Sequence, residues 1–209
     1  RTLQWLINLL APSFVIGLAI IFQPELRKIF TRIGQGTWLH MNSSAQPQQI
    51  DAVLSAAETL GFRRRGALIV FSRSVGQKNI IETGTSIDAD VTSALLLTVF
   101  SHDTELHDGA VVIENGRIAS AGCFLPLSEQ MDVRRSFGTR HRAALGLAEE
   151  SDAVVLVVSE ESGAMSLAYD GNLRYDLSTE EIREQLSELL NLGSRTGGNQ
   201  REEVAELAE

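Results

Sequence analysis

The hydrophobic pattern divides the chain into segments of different period. Residues 2–24 carry no charge, and Trp5 to Phe22 is apolar on all faces apart from Asn8, Pro12, Ser13 and Gly17. A helix of about 20 such residues crosses a bilayer, and an all-round apolar surface suits lipid better than a single stripe does. The run predicts a membrane helix, with a buried core helix as the alternative. No small-residue cleavage site follows it, which argues against a signal peptide. Arg27, Lys28 and Arg32 come next, opposed only by Glu25, and this bias predicts a cytoplasmic location for everything downstream. The expected organisation is a membrane helix and juxtamembrane segment over 1–34, a Gly-, Ser- and Gln-rich linker over 35–47, a globular domain over 48–192 and a polar, mobile tail over 193–209.

Within the globular part the period changes repeatedly. A helix starts at Pro47, with Ile50, Val53, Leu54 and Ala57 on one face and Gly61 as its expected C-terminal cap. Ala67–Phe71 is a strand-length apolar run. Val91–Phe100 reads as a helix capped by Asp88 or Asp90. Asn115-Gly116 between Ala110–Ile113 and Ile118–Gly122 is a hairpin signal, because both turn positions need positive φ. Thr139–Ala148 reads as a helix and Ala153–Val158 as a buried strand that returns antiparallel over Met165–Tyr169. Ser178 and Glu181 form a capping box that opens a helix to Leu192. Helices interleaved with hairpins predict an α/β fold: a mixed central β-sheet wrapped by helices, preceded by the N-terminal helix.

Composition narrows the function. Hydrophobic residues are 44% and charged residues 22%, as in ordinary folded proteins. With 18 Lys and Arg against 27 Asp and Glu, the net charge of −9 makes the chain a poor candidate for coating nucleic acid but permits a local phosphate pocket. The single Cys123 allows no internal disulfide, and there is no cysteine cluster for zinc. The first residue is Arg, so the chain is expected to be a fragment or a processed form.

Three segments carry candidate chemistry. His107-Asp108-Gly109-Ala110 precedes a strand; Asp108 can accept a proton, and the small neighbours let a ligand approach. On its own this is also an ordinary turn. Gly138-Thr139-Arg140-His141-Arg142 opens a helix, where free N–H groups and guanidinium forks suit phosphate. Arg140 and Arg142 diverge by about 200° on a helix, so they need not serve one ligand. Ser159-Glu160-Glu161-Ser162 follows a buried strand and offers oxygen ligands of the kind Mg²⁺ or Mn²⁺ prefers. Acid, phosphate clamp and metal carboxylates together describe nucleotidyl transfer, and no P-loop, HExxH or GxSxG motif competes.

Leu106-His-Asp-Gly-Ala-Val-Val-Ile113, Gly122-Cys-Phe-Leu-Pro-Leu-Ser128, Phe137-Gly-Thr-Arg-His-Arg-Ala-Ala-Leu-Gly146 and Ser151 to Glu161 resemble the diadenylate cyclase domain over about Gln48 to Leu192. The apolar run with Phe22-Gln-Pro-Glu-Leu-Arg-Lys-Ile29 resembles the last of three membrane helices in the membrane-anchored class of that family. The resemblance implies condensation of two ATP into cyclic di-AMP and two pyrophosphates, at a site formed by two domains face to face. It implies that Asp108 activates the ribose 3′-hydroxyl, with Gly109 and Ala110 keeping the backbone close to the nucleotide. Gly138, Thr139, Arg140, His141 and Arg142 would bind the triphosphate, with Ser159 and Glu160 beside it. His107 and Glu161 would hold Mn²⁺ or Mg²⁺, Co²⁺ being a third option, and Phe124 and Leu125 would cover the adenine. The implied partners are ATP, a second copy of the chain in a homodimer that need only be transient, the cell membrane and regulatory proteins. Nucleic acid is not among them. The competing functions are a non-catalytic adenine-nucleotide sensor, against which Asp108, Glu160 and Glu161 argue, and a membrane-tethered scaffold.

Overall fold

A computed structural model describes residues 47–130 and 138–190. The expected membrane helix, the linker before Pro47 and the tail lie outside these residues. Among the described residues no helix is long and apolar enough to cross a membrane.

The described chain runs α1 (Pro47–Phe62), β1 (Ala67–Phe71), α2 (Lys78–Ile81), β2 (Thr85–Asp90), α3 (Ser93–Val99), a 3₁₀ turn (Glu105–His107), β3 (Ala110–Glu114) and β4 (Arg117–Cys123). It continues through α4 (Thr139–Glu150), β5 (Val154–Val158), β6 (Met165–Tyr169) and β7 (Asn172–Arg174). A last helix, α5, starts at residue 179 and is described to residue 190. The seven strands form one sheet in the order β2-β4-β3-β1-β5-β6-β7. Only β1 and β3 pair in parallel; the other pairs are antiparallel. The sheet is therefore mixed and covered by helices on both faces, as the interleaved pattern predicts.

Strand pleating sends alternate residues to opposite faces. Ile69, Phe71, Val111, Leu156 and Val158 pack with Val53, Leu54 and Leu60 of α1, Leu96 and Val99 of α3, and Ile182 and Leu186 of α5. Leu68, Val70, Val112, Val155 and Val157 meet Ala143, Ala144 and Leu147 of α4 on the other face. All five residues of β5 are buried, which explains its unbroken β-branched run. Each such Val or Leu side chain contributes about 1.5–3 kcal/mol, so burial on the β1–β5 centre is a main source of stability for the frame.

Two local signals appear as expected. Asn115 and Gly116 both have positive φ (51° and 75°) and join β3 to β4. The Glu181 carboxylate accepts from the Ser178 backbone N–H at 2.8 Å, while Ser178 Oγ accepts from Glu181 N–H at 3.3 Å. The Ser178 hydroxyl also donates to this carboxylate at 2.8 Å, and the backbone and hydroxyl bonds from Ser178 hold the Glu181 carboxyl below its usual range.

Two expected caps are different. Helix α1 does not end at Gly61; it runs to Phe62, and Arg64 takes the left-handed conformation (φ 53°). Arg65 N–H donates to Leu60 O at 2.8 Å and Arg64 N–H to Gly61 O at 3.1 Å, the bond pair of a Schellman cap. Gly61 is small for another reason: a Cβ there would lie 2.7 Å from the Gly163 carbonyl. The cap of α3 is Thr92, whose hydroxyl accepts from Leu95 N–H, rather than Asp88 or Asp90. Those two carboxylates instead take the Arg117 guanidinium at 2.7 and 2.5 Å.

The register decides what meets at one end of the sheet. Ala67 pairs with Val158, and Ile69 with Val111. The start of β1, the start of β3 and the end of β5 thus share an edge. Neighbouring strands are about 4.8 Å apart, so the backbones at Asp108 and Ser159 stand roughly 10 Å apart, two strands over.

Candidate active site

A cleft of about 310 Å³ opens at that edge, lined by Gly138, Thr139, Arg140, His141, Val158, Ser159, Glu160, Glu161, Ser162 and Tyr175. Its two walls are the N-terminus of α4 and the turn after β5. Gly138 caps α4 with extended backbone and no side-chain cap bond, so the first N–H groups of the helix are left for an anion. The turn closes on itself: Gly163 N–H donates to Ser159 O at 2.9 Å, and Ser162 N–H to Ser159 Oγ at 3.3 Å.

Arg140 spans the two walls. Its guanidinium donates to the Glu160 carboxylate at 2.5 Å, with 22% of the arginine side chain and 53% of the glutamate side chain exposed. An ion pair this open to water is worth about 0–1 kcal/mol, so an incoming phosphate can displace the carboxylate at little cost. Arg142 points elsewhere, to the Ser128 carbonyl at 3.1 Å, and it does not line the cleft. The divergence expected on a helix thus separates the two arginines: one faces the cleft, and the other fastens the 124–128 segment to α4. Ser128 N–H returns a bond to Arg142 O at 3.0 Å.

His141 is 4% exposed; its ring lies 5.8 Å from that of Tyr175, and Nε2 is 3.5 Å from Ser166 Oγ. Burial lowers its pKa below the usual 6.5, and the Glu161 charge opposes that shift only in part. At pH 7 the imidazole is therefore neutral and offers hydrogen bonds rather than charge. The unfolded chain takes up the proton first, so the stability contribution is full above about pH 6.5 and is lost as pH falls through the folded value. Between about pH 8 and pH 5 the melting temperature should fall more steeply for the native protein than for His141→Gln. Equal slopes would remove His141 as the source.

Asp108 lies outside the cleft lining, exposed just before β3 on the same sheet edge. Gly109 has φ 138°, and a Cβ there would meet the Gly122 carbonyl carbon at 2.6 Å and Cys123 N at 2.9 Å. The glycine is therefore required by the β4 backbone, whatever it does for a ligand. Ala110 is fully buried against α4. Phe124, which could as well have been core, is 68% exposed and open to stacking on a base, and its N–H is tied to Thr83 Oγ1 at 3.0 Å. Leu125 is half-buried against the α4-side core. Cys123 is buried, which raises its thiol pKa and leaves it unreactive.

The donor set fits a divalent ion only with help from a substrate. Among the described residues no three His, Cys, Asp or Glu side chains converge. His107 Nδ1 meets the Thr104 carbonyl, which can only accept, so Nδ1 is the donor there and Nε2 is the ring nitrogen that a metal would meet. Glu161 is exposed at the cleft. Phosphate oxygens and water would have to complete the shell, as Mg²⁺-type ions allow.

Tyr175 and Ser162 also line the cleft, joined by their hydroxyls at 3.3 Å. Nothing local in the sequence marks Tyr175; only the fold of β7 behind α4 brings it there.

The family model for the DisA bacterial checkpoint controller nucleotide-binding domain (DAC) matches residues 54–173, a span holding all candidate residues from His107 to Glu161. Cyclic di-AMP synthase CdaA of Bacillus subtilis is 41% identical over 189 residues, covering 88% of this chain and 69% of that protein. A diadenylate cyclase of Listeria monocytogenes is 39% identical over 190 residues, covering 89% and 70%. The solved structure of DacA from Staphylococcus aureus, as a double cysteine mutant, superposes with a TM-score of 0.67 at 44% identity, covering 68% of this chain and 95% of that one. A hypothetical membrane spanning protein from Bacillus cereus gives 0.59 at 44% identity, covering 61% and 63%.

Proposed function

The chain belongs to the diadenylate cyclase family, and from that membership we propose that Asp108 activates the nucleophile while the α4 N-terminus and the β5 turn hold the triphosphate. The reaction condenses two ATP into one cyclic di-AMP. Each ribose 3′-oxygen forms a bond to the α-phosphorus of the other ATP, and each α-phosphorus loses pyrophosphate in line. Asp108, exposed at the sheet edge, accepts the hydroxyl proton. Its distance of roughly two strands from the cleft suits a nucleotide whose phosphates and sugar occupy different places.

The observation that carries this reading is the joint placement of Arg140, the free N–H groups of α4 and the Ser159–Ser162 turn around one cleft. Negative charge builds on the departing pyrophosphate, so catalysis rests on positioning and neutralisation. Arg140 exchanges Glu160 for phosphate oxygens, and neutral His141 adds a hydrogen bond. Arg142 acts indirectly, by holding the 124–128 segment where Phe124 can stack on adenine, an interaction worth about 1–3 kcal/mol. Glu161 and His107 would hold a Mn²⁺ or Mg²⁺ ion, which when bound neutralises phosphate charge.

The chain carries one copy of each motif while the reaction consumes two ATP, so two chains meet face to face. The charge-free run over residues 2–24 and the basic residues after it support a membrane tether with the catalytic domain on the cytoplasmic side.

Purified protein with ATP and Mn²⁺ should yield cyclic di-AMP and pyrophosphate in a ratio of one to two. Arg140→Ala and His141→Gln should weaken ATP binding more than they alter melting. Removing a charge-assisted hydrogen bond at Arg140 costs about 1.5–3 kcal/mol, roughly ten- to hundredfold in affinity. Unchanged affinity in both variants would show that this segment is not the clamp.

A further inference from the structure

The cleft arginine rests on a residue outside all the motifs. A Cβ built on Gly66 would lie 2.6 Å from Arg140 Nη1, 2.7 Å from Cζ and 3.0 Å from Nε. Gly66 is buried and immediately precedes β1, so the guanidinium lies flat against its backbone on the way to Glu160. Its φ is outside the left-handed region, so its backbone conformation is open to any residue. What a side chain would meet is the movable end of Arg140.

This sets Gly66 apart from the other close-packed glycines near the site. Side chains on Gly61, Gly109 and Gly163 would strike backbone atoms, and the fold would have to give way. At Gly66 the fold need not move, because the side chain that serves the cleft can move instead. The backbone around Gly66 is itself pinned. Arg65 N–H holds Leu60 O, Arg64 Nη1 donates to the Glu161 carbonyl, and Gly61 and Gly163 pack backbone to backbone. The α1–β1 turn is thus a fixed seat tied to the β5-turn wall of the cleft.

We propose that Gly66 is a positioning residue for the phosphate clamp: its bare Cα is the platform that directs the Arg140 guanidinium across the cleft. The inference rests on Arg140 being the clamp. Any side chain at residue 66 pushes the guanidinium off the line between the α4 N-terminus and Glu160, while the sheet and the α1 cap remain.

The test is a double-mutant cycle in the full chain, read by affinity for 3′-deoxy-ATP with Mn²⁺. This probe lacks the attacking hydroxyl, so binding is separated from turnover. Gly66→Ala should leave the melting temperature unchanged and weaken binding by about tenfold, as expected for one charge-assisted hydrogen bond removed. With ATP, the same variant should raise KM more than it lowers kcat. In an Arg140→Ala background, Gly66→Ala should have no further effect, because the group it displaces is gone. Three results overturn the proposal: unchanged affinity in Gly66→Ala, an equal loss in both backgrounds, or a lowered melting temperature with KM intact. If Arg140→Ala itself binds normally, the clamp reading fails and the proposal falls with it; if only Gly66→Ala binds normally, the clamp stands and the platform does not.

Discussion

Asp108→Asn should lose about 10²- to 10⁴-fold in cyclic di-AMP synthesis, the range for removing a general base, while affinity for 3′-deoxy-ATP is unchanged. Asparagine keeps the shape of aspartate but cannot take up a proton. Asp108 lies outside the cleft formed by Arg140, His141 and the Ser159–Ser162 turn, so the phosphate-binding groups are untouched. Packing is also preserved, since Asp108 is exposed and the tight fit at this edge belongs to Gly109 against β4. The two measurements together separate chemistry from binding. Near-normal turnover by the purified variant would take the proton-accepting role from Asp108. Loss of binding together with turnover would place it in the phosphate site instead.

The second large effect concerns assembly. For a version lacking the residues before about Gln35, specific activity should rise in proportion to protein concentration below the dimer dissociation constant, and level off above it. The reason is stoichiometric: two ATP molecules must react with each other, and each chain supplies one Asp108 and one Arg140 cleft. Removing residues 1–34 takes away four basic residues and one acidic one, so the net charge moves from −9 to −12 and opposes close approach of two copies until ions screen it. A membrane tether replaces bulk concentration with a high local one, so the full chain in vesicles should be far less sensitive to dilution. Initial rates over a wide range of enzyme concentration, with mass followed by light scattering, decide it. Constant specific activity from a species that stays monomeric would sink the two-chain site.

Much of the frame is legible in the sequence because it is written in short-range patterns. Ala67–Phe71 and Val154–Val158 are uniform apolar runs, and both are fully buried central strands. Asn115-Gly116 fixes its turn by the φ values those residues tolerate, and Ser178 with Glu181 cap α5 through bonds three residues apart. Elements without such a signature are invisible to local pattern. β2 is Thr-Ser-Ile-Asp-Ala-Asp, polar and largely exposed at the sheet edge, and it is a strand because β4 offers it backbone partners. β7, with three residues at the opposite edge, exists only by pairing with β6. Gly61 illustrates an ambiguity of type: a glycine near a helix end reads as a cap, yet here it answers to Gly163 across the fold, and Arg64 takes the strained conformation instead.

The candidate site divides along the same line. The residue types and their order around Asp108, Arg140 and Glu160 are consistent with nucleotidyl transfer, since cations, helix N-termini and carboxylates suit phosphate chemistry, but it is the resemblance of the motifs to the diadenylate cyclase domain that singles out the reaction. Helical geometry alone also required Arg140 and Arg142 to diverge. Only the tertiary structure decided which of them faces the cleft, since that depends on where the Ser128 carbonyl and the Glu160 carboxylate lie on either side of α4. It also decided that Tyr175 joins the lining, that Gly109 is held by β4, and that Gly66 lies beneath the Arg140 guanidinium. These pairings join segments remote in the chain and are set by strand order and register. Local periodicity records which face of an element is buried, but carries no information about what that face is buried against.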